Sequence, residues 1–93
     1  MRAEFSRQAE ADLDEIAGFI ARDSVDAALA WIDRLVDHAN EAAAAPHAGR
    51  VVKEYADPKV REVLLKSYRI IYRVESKRIV VLTIIEGHRR LAR

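Results

Sequence analysis

Apolar residues recur at helical intervals through the first half of the chain and alternate with polar ones through the second half, with the change falling at Pro46. Ala9, Leu13, Ile16, Ala17 and Ile20 form one apolar stripe, and Asp12, Asp14 and Glu15 lie off it. This spacing predicts a helix of about four turns. Met1 to Phe5 reads as a short strand before it, and Ser6 stands where an N-cap belongs, a position worth about 1 kcal/mol. Arg22-Asp23-Ser24 has turn chemistry and offers Asp23 or Ser24 as the cap of a second helix, with Asp26 placed to favour its first turn. Ala28, Trp31, Ile32, Leu35, Ala39 and Ala42 or Ala43 continue at helical spacing. The helix must end before Pro46, since proline inside a helix costs about 3 kcal/mol. So short a connection makes the two helices an antiparallel hairpin.

Residues His47 to Pro58 carry no sustained period and read as a loop, with a brief extended piece at Val51-Val52. Val60 to Leu65 and Tyr68 to Val74 are rich in β formers, and the two-residue link Lys66-Ser67 makes them a hairpin. Glu75-Ser76-Lys77 turns the chain into a last strand over Arg78 to Ile85, which Gly87 ends. The expected fold class is α+β, in the order β-α-α-β-β-β. An N-terminal strand and an antiparallel helix hairpin pack on one face of an antiparallel sheet, which ends in a three-strand meander. The whole of residues 1–93 reads as a single domain.

Strand alternation then assigns faces. Tyr68, Ile70, Tyr72 and Val74 should meet the helices, with Arg69, Ile71 and Arg73 on the opposite side. The last strand is apolar on both faces: Val80, Leu82 and Ile84 on one, Ile79, Val81, Thr83 and Ile85 on the other. Two helices cover one face only, so the other needs a cover of its own. Either the 47–58 loop and the C-terminal residues supply it or a partner protein does.

Composition narrows the class. The chain of 93 residues has 51 % hydrophobic and 33 % charged residues with only 3 Gly and 2 Pro, which excludes a disordered chain. The absence of cysteine removes disulfides, thiolate metal sites and a cysteine nucleophile, and fits a reducing cytosol. No secretory leader and no apolar run near the ~20 residues of a membrane span is visible, so a cytoplasmic protein without membrane contact is expected. His38 and His47 lack the spacing of a metal pair, and neither a metal nor a cofactor is expected. Charge is strongly polarised: residues 1–47 hold four arginines against ten carboxylates, residues 48–93 twelve cations against five. An anionic partner would therefore meet the second half, where Arg50, Arg61, Arg69, Arg73, Arg89 and Arg90 form a candidate binding set.

Several stretches together resemble the RelE/ParE toxin superfamily, and its ParE branch in particular. They are the run Ile16 to Asp23, Trp31-Ile32-Asp33-Arg34-Leu35, and Pro46 with Gly49-Arg50-Val51-Val52. They continue with Val60-Arg61-Glu62-Val63-Leu64, Tyr68-Arg69-Ile70-Ile71-Tyr72-Arg73-Val74 and Glu86-Gly87-His88-Arg89-Arg90. The resemblance implies the toxin of a bacterial type II toxin–antitoxin pair, neutralised by a cognate antitoxin. Ile79, Val81 and Ile85 are then the expected antitoxin-facing apolar residues, while Arg50, Arg61, Arg69, Arg73, His88, Arg89 and Arg90 would serve the target or partner.

The two branches of the superfamily imply different activities on one fold. The ParE branch implies a poison of DNA gyrase, and the RelE branch implies a nuclease that cuts mRNA on the ribosome. RNA cleavage requires a general base, a general acid and cations aimed at the phosphate, and each acid or base contributes about 10²- to 10⁴-fold. By the resemblance Arg69 matches the phosphate-stabilising arginine and Arg89 a second one. Where RelE-branch enzymes carry a lysine pair this chain has Arg61 and Val63, and no tyrosine follows Arg89. A nuclease would have to rest on Arg69, His88 and Arg89, with Glu62 or Glu86 as carboxylate. With these departures from the RelE branch, the resemblance implies inhibition of gyrase by binding, with the ribosome-dependent endonuclease as the alternative.

Overall fold

Ser6 ends the first strand and starts the first helix with one set of bonds. Its N–H and its hydroxyl donate to the carbonyls of Val81 and Leu82 at 3.0 and 2.9 Å, and the same hydroxyl oxygen accepts from the Ala9 N–H at 3.1 Å. In the structure, a computed structural model describing residues 1–87, this junction separates β1 (Arg2–Phe5) from α1 (Arg7–Ala21). Of the two caps the sequence offers for the second helix, Ser24 takes the position, accepting from the Ala27 N–H at 3.1 Å. Helix α2 (Val25–Ala44) stops one residue before Ala45, and Pro46–Ala48 continues as a 3₁₀ turn. The alanines Ala28, Ala39, Ala42 and Ala43 are buried along α2 beside Leu35, which lets this helix lie close to the sheet.

Four further strands follow: β2 (Arg50–Val51), β3 (Val60–Leu65), β4 (Tyr68–Val74) and β5 (Arg78–Glu86). Their order across the sheet is β1-β5-β4-β3-β2. The meander β3-β4-β5 is antiparallel as expected, and β2 adds antiparallel to β3 through Arg50↔Glu62 and Val51↔Arg61. The sheet is nevertheless mixed, because β1 pairs parallel to β5. Within the stretch expected to be a loop lie β2 and two 3₁₀ turns, the second at Lys53–Tyr55.

The helix face carries the main core, in which Leu35, Ala39 and Ala9 meet Ile70, Tyr72, Val74, Ile79, Val81 and Ile84. Each large side chain buried there contributes about 1.5–3 kcal/mol. A second cluster on the outer face joins Val52, Val60 and Ile71, with Tyr55, Leu82 and Ile85 packed against it. The 52–60 segment thus covers much of the face that the helices leave open.

Two expectations about β5 need correction. Its pairing with β4 shifts register, from Ile71↔Thr83 to Tyr72↔Val81, so that Leu82 is an extra residue at a bulge. A bulge reverses the alternation beyond it, and Ile84 rather than Ile85 joins Ile79 and Val81 in the helix-side core. Ile79 and Val81 are fully buried there, so they cannot be antitoxin-facing residues. Ile85 is partly exposed.

Candidate functional site

The outer face near the end of the β3–β4 hairpin gathers the charged residues. Alternation turns Val60, Glu62 and Leu64 of β3 to this face, together with Arg69, Ile71 and Arg73 of β4. Glu62 is the one buried charged side chain among the described residues. It accepts from Arg69 Nε at 2.6 Å through one carboxylate oxygen and from Arg50 Nε at 2.9 Å through the other. The two terminal nitrogens of Arg69 reach Glu54 at 3.3 and 3.4 Å. The hydrogen bond to Glu62 raises the Arg69 pKa above its ordinary value; burial opposes this and Glu54 supports it. The result is a chain of alternating charge, Arg50–Glu62–Arg69–Glu54, with two geometries: short bonds to the buried Glu62 and longer ones to the half-exposed Glu54.

Arg61 serves the backbone instead. Its guanidinium donates to the carbonyls of Pro58, His47 and Gly49 at 3.0–3.1 Å, fastening the start and end of the 47–58 stretch to β3. Arg73 sits 3.9 Å from Asp57, a long and exposed ion pair. The structure therefore brings Arg50 and Arg69 together around Glu62 and leaves Arg61 and Arg73 in separate roles. His88, Arg89 and Arg90 lie outside the described residues.

A hollow lined by Arg50, Leu64, Lys66, Ser67, Arg69 and Gly87 lies beside this network. A second, of about 310 Å³, runs between α1 and the end of β5, where Ile16, Phe19, Tyr68, Ile84 and Ile85 make an apolar floor. Asp12, Glu15 and Glu86 line it as well, so it suits an apolar segment that also carries positive charge. Ile85 is thus the antitoxin-facing candidate that reaches a groove. Glu86 belongs to this groove and not to the hollow that Arg69 lines.

Sequence reasoning did not single out Glu54, Leu64 or Lys66 for this face. The pairing Leu64↔Arg69 brings Leu64 beside the network, and strand alternation could have found it. Glu54 lies in an aperiodic segment whose path no pattern specifies. Among the described residues no group of three His, Cys, Asp or Glu could hold a metal ion, and no helix is long and apolar enough to cross a membrane.

A family model described as the ParE toxin of the type II toxin–antitoxin system parDE matches residues 3–91. A solved structure titled as the chromosomal ParDE toxin–antitoxin system from P. aeruginosa contains a similar chain, with 27 % identity and a TM-score of 0.75. The match covers 92 % of this chain and 95 % of that one. A search of curated proteins gives no significant match.

Proposed function

The chain belongs to the ParE toxin family of type II toxin–antitoxin systems, and from that premise we propose that it arrests growth by binding DNA gyrase in the cytoplasm until a cognate antitoxin covers it. Binding rather than RNA cleavage is supported chiefly by the state of Arg69. By the resemblance this is the phosphate-stabilising arginine, yet its side chain is only 14 % exposed and its guanidinium is held by Glu62 and Glu54. Turning it to a scissile phosphate would break charge-assisted bonds worth about 1.5–3 kcal/mol each. Glu62 is held between two guanidinium groups and so is poorly placed to act as a general base.

Antitoxin capture at the α1 groove is supported by its apolar floor and acidic lining, with Ile85 as one contact. The exposed guanidinium of Arg50 and the half-exposed Arg73 remain candidates for the target.

One preparation of the protein tests the reading in two assays. Gyrase supercoiling should be inhibited or linear plasmid should accumulate, while primer extension on translated mRNA shows no new ends. Cleaved message with unaffected supercoiling would overturn the proposal in favour of the ribosome-dependent nuclease.

A further inference from the structure

Strand β1 ends the sheet, and no described strand lies beyond its outer edge. The Ser6 N–H donates to the Val81 carbonyl, and the main-chain groups of successive residues turn to opposite edges of a strand. Arg2, Glu4 and Ser6 therefore bond toward β5, while the N–H and C=O of Ala3 and Phe5 point away from the sheet. The six residues after Gly87 are too few to cover this edge. Ala3 pairs with Ile79, eight positions and about 26 Å along β5 from Gly87, whereas six residues span at most about 22 Å.

The edge is also unguarded. Its register with β5 runs unbroken from Arg2↔Arg78 to Phe5↔Val81, so it carries neither a bulge nor a proline of the kind that blunts exposed edges. Ala3 and Phe5 pack on the helix side, which puts Arg2 and Glu4 on the outer face. There Glu4 accepts from both Arg2 and Arg78. The Arg2 side chain is nevertheless 78 % exposed, and Met1 is 55 % exposed.

A second copy of β1 fits this edge in one register. Antiparallel pairing about a two-fold axis must set edge-facing residues against edge-facing residues. With Ala3 on the axis, Ala3 exchanges both main-chain bonds with its own copy. Phe5 then meets Met1 of the second copy on the helix side, and Arg2 meets Glu4 of the second copy on the outer face. Two arginines and two carboxylates alternate around a square. The neighbouring registers set Arg2 against Arg2 or Glu4 against Glu4, and like charges directly opposite are destabilising.

We propose that the chain self-associates through β1, joining two five-stranded sheets across a two-fold axis, with Arg2 and Glu4 selecting the register. Five residues a side, against the roughly 20–30 of a stable interface, make the dimer weak and concentration-dependent. The network around Glu62 lies toward the other edge of the sheet and stays open to the target.

Sedimentation equilibrium of the full chain between about 10 µM and 1 mM should show the dimer. Arg2→Glu and Glu4→Arg each turn two attractive cross-strand pairs repulsive and should weaken association by about tenfold or more, with circular dichroism unchanged. An equimolar mixture of the two variants should restore it, because the swapped charges then oppose one another. The chain has no cysteine, so Ala3→Cys gives an independent reading. Bonded antiparallel pairs hold their Cα atoms about 5.5 Å apart, within disulfide reach, and oxidation should yield a covalent dimer. A monomer at every concentration without that cross-link, or a dimer that the swaps leave intact or that their mixture fails to restore, overturns the proposal. Protection of the Ala3 amide only after antitoxin is added would give the edge to the antitoxin and overturn it as well.

Discussion

Arg69 Nε donates to Glu62 Oε1 across 2.6 Å on a sheet face where both side chains are mostly buried. The same carboxylate holds Arg50 through its second oxygen. A group shared in this way couples β2, β3 and β4 beside the apolar cluster of Val52, Val60 and Ile71, and it fixes the orientation of Arg69.

Removing Glu62 should therefore be costly. Glu62→Ala strands a buried guanidinium, and breaking a buried pair from one side costs about 3–5 kcal/mol; the residual contact with Glu54 places the expected loss near 3 kcal/mol. Arg50→Ala, which truncates a side chain that is 64 % exposed, should cost no more than about 1 kcal/mol. Urea denaturation of the two variants checks the contrast, and equal losses would refute the assigned asymmetry.

Gly49 is required by a close approach. A Cβ there would collide with the Tyr72 hydroxyl and lie 3.0 Å from the Glu62 carbonyl. That hydroxyl is fixed by its donation to the Pro46 carbonyl at 2.7 Å, so it cannot simply swing aside. Gly49→Ala is expected to destabilise by about 1–3 kcal/mol, the usual range for overpacking. A thermal melt unchanged from the parent would show that the Pro46 turn yields freely.

Tyr72 also sets an alkaline limit. Burial raises its pKa above the ordinary value of 10.0, with the nearby Arg61 charge acting in the opposite direction. The folded state then holds the phenolic proton more tightly than the unfolded state does. Its contribution is complete below about pH 10 and is lost as pH rises from there through the folded value. Tyr72→Phe should flatten this alkaline loss while lowering stability at neutral pH, because the Pro46 carbonyl loses its donor. Denaturation between pH 8 and 11 measures both effects.

Leu35 and Ile70 face one another's elements across the helix–sheet core, and both are fully buried. Leu35→Ala and Ile70→Ala should each cost about 2–5 kcal/mol. Losses below about 0.5 kcal/mol at both positions would contradict the packing of the helices on the sheet.

Signals within a few residues determined most of the local structure of this protein. The stripe from Ala9 to Ile20, the caps at Ser6 and Ser24, the stop before Pro46 and the alternation of Tyr68 to Val74 are each decided by neighbours a few residues away, and the helices and strands lie where those patterns put them. Three features depended on contacts between distant segments. The parallel partnership of β1 with β5 joins residues more than seventy positions apart, which no local pattern encodes. The bulge at Leu82 arises from fitting β5 to β4, and because side chains alternate with a period of two, one extra residue exchanged the faces of Ile84 and Ile85. The charge network around Glu62 required the aperiodic segment holding Glu54 to fold back over the sheet. Its arginines were visible in the sequence as a basic set, but a chain of twelve arginines does not reveal which guanidinium meets a carboxylate. Ion pairing is decided by angstrom-scale distance and burial, and only the tertiary structure supplies those.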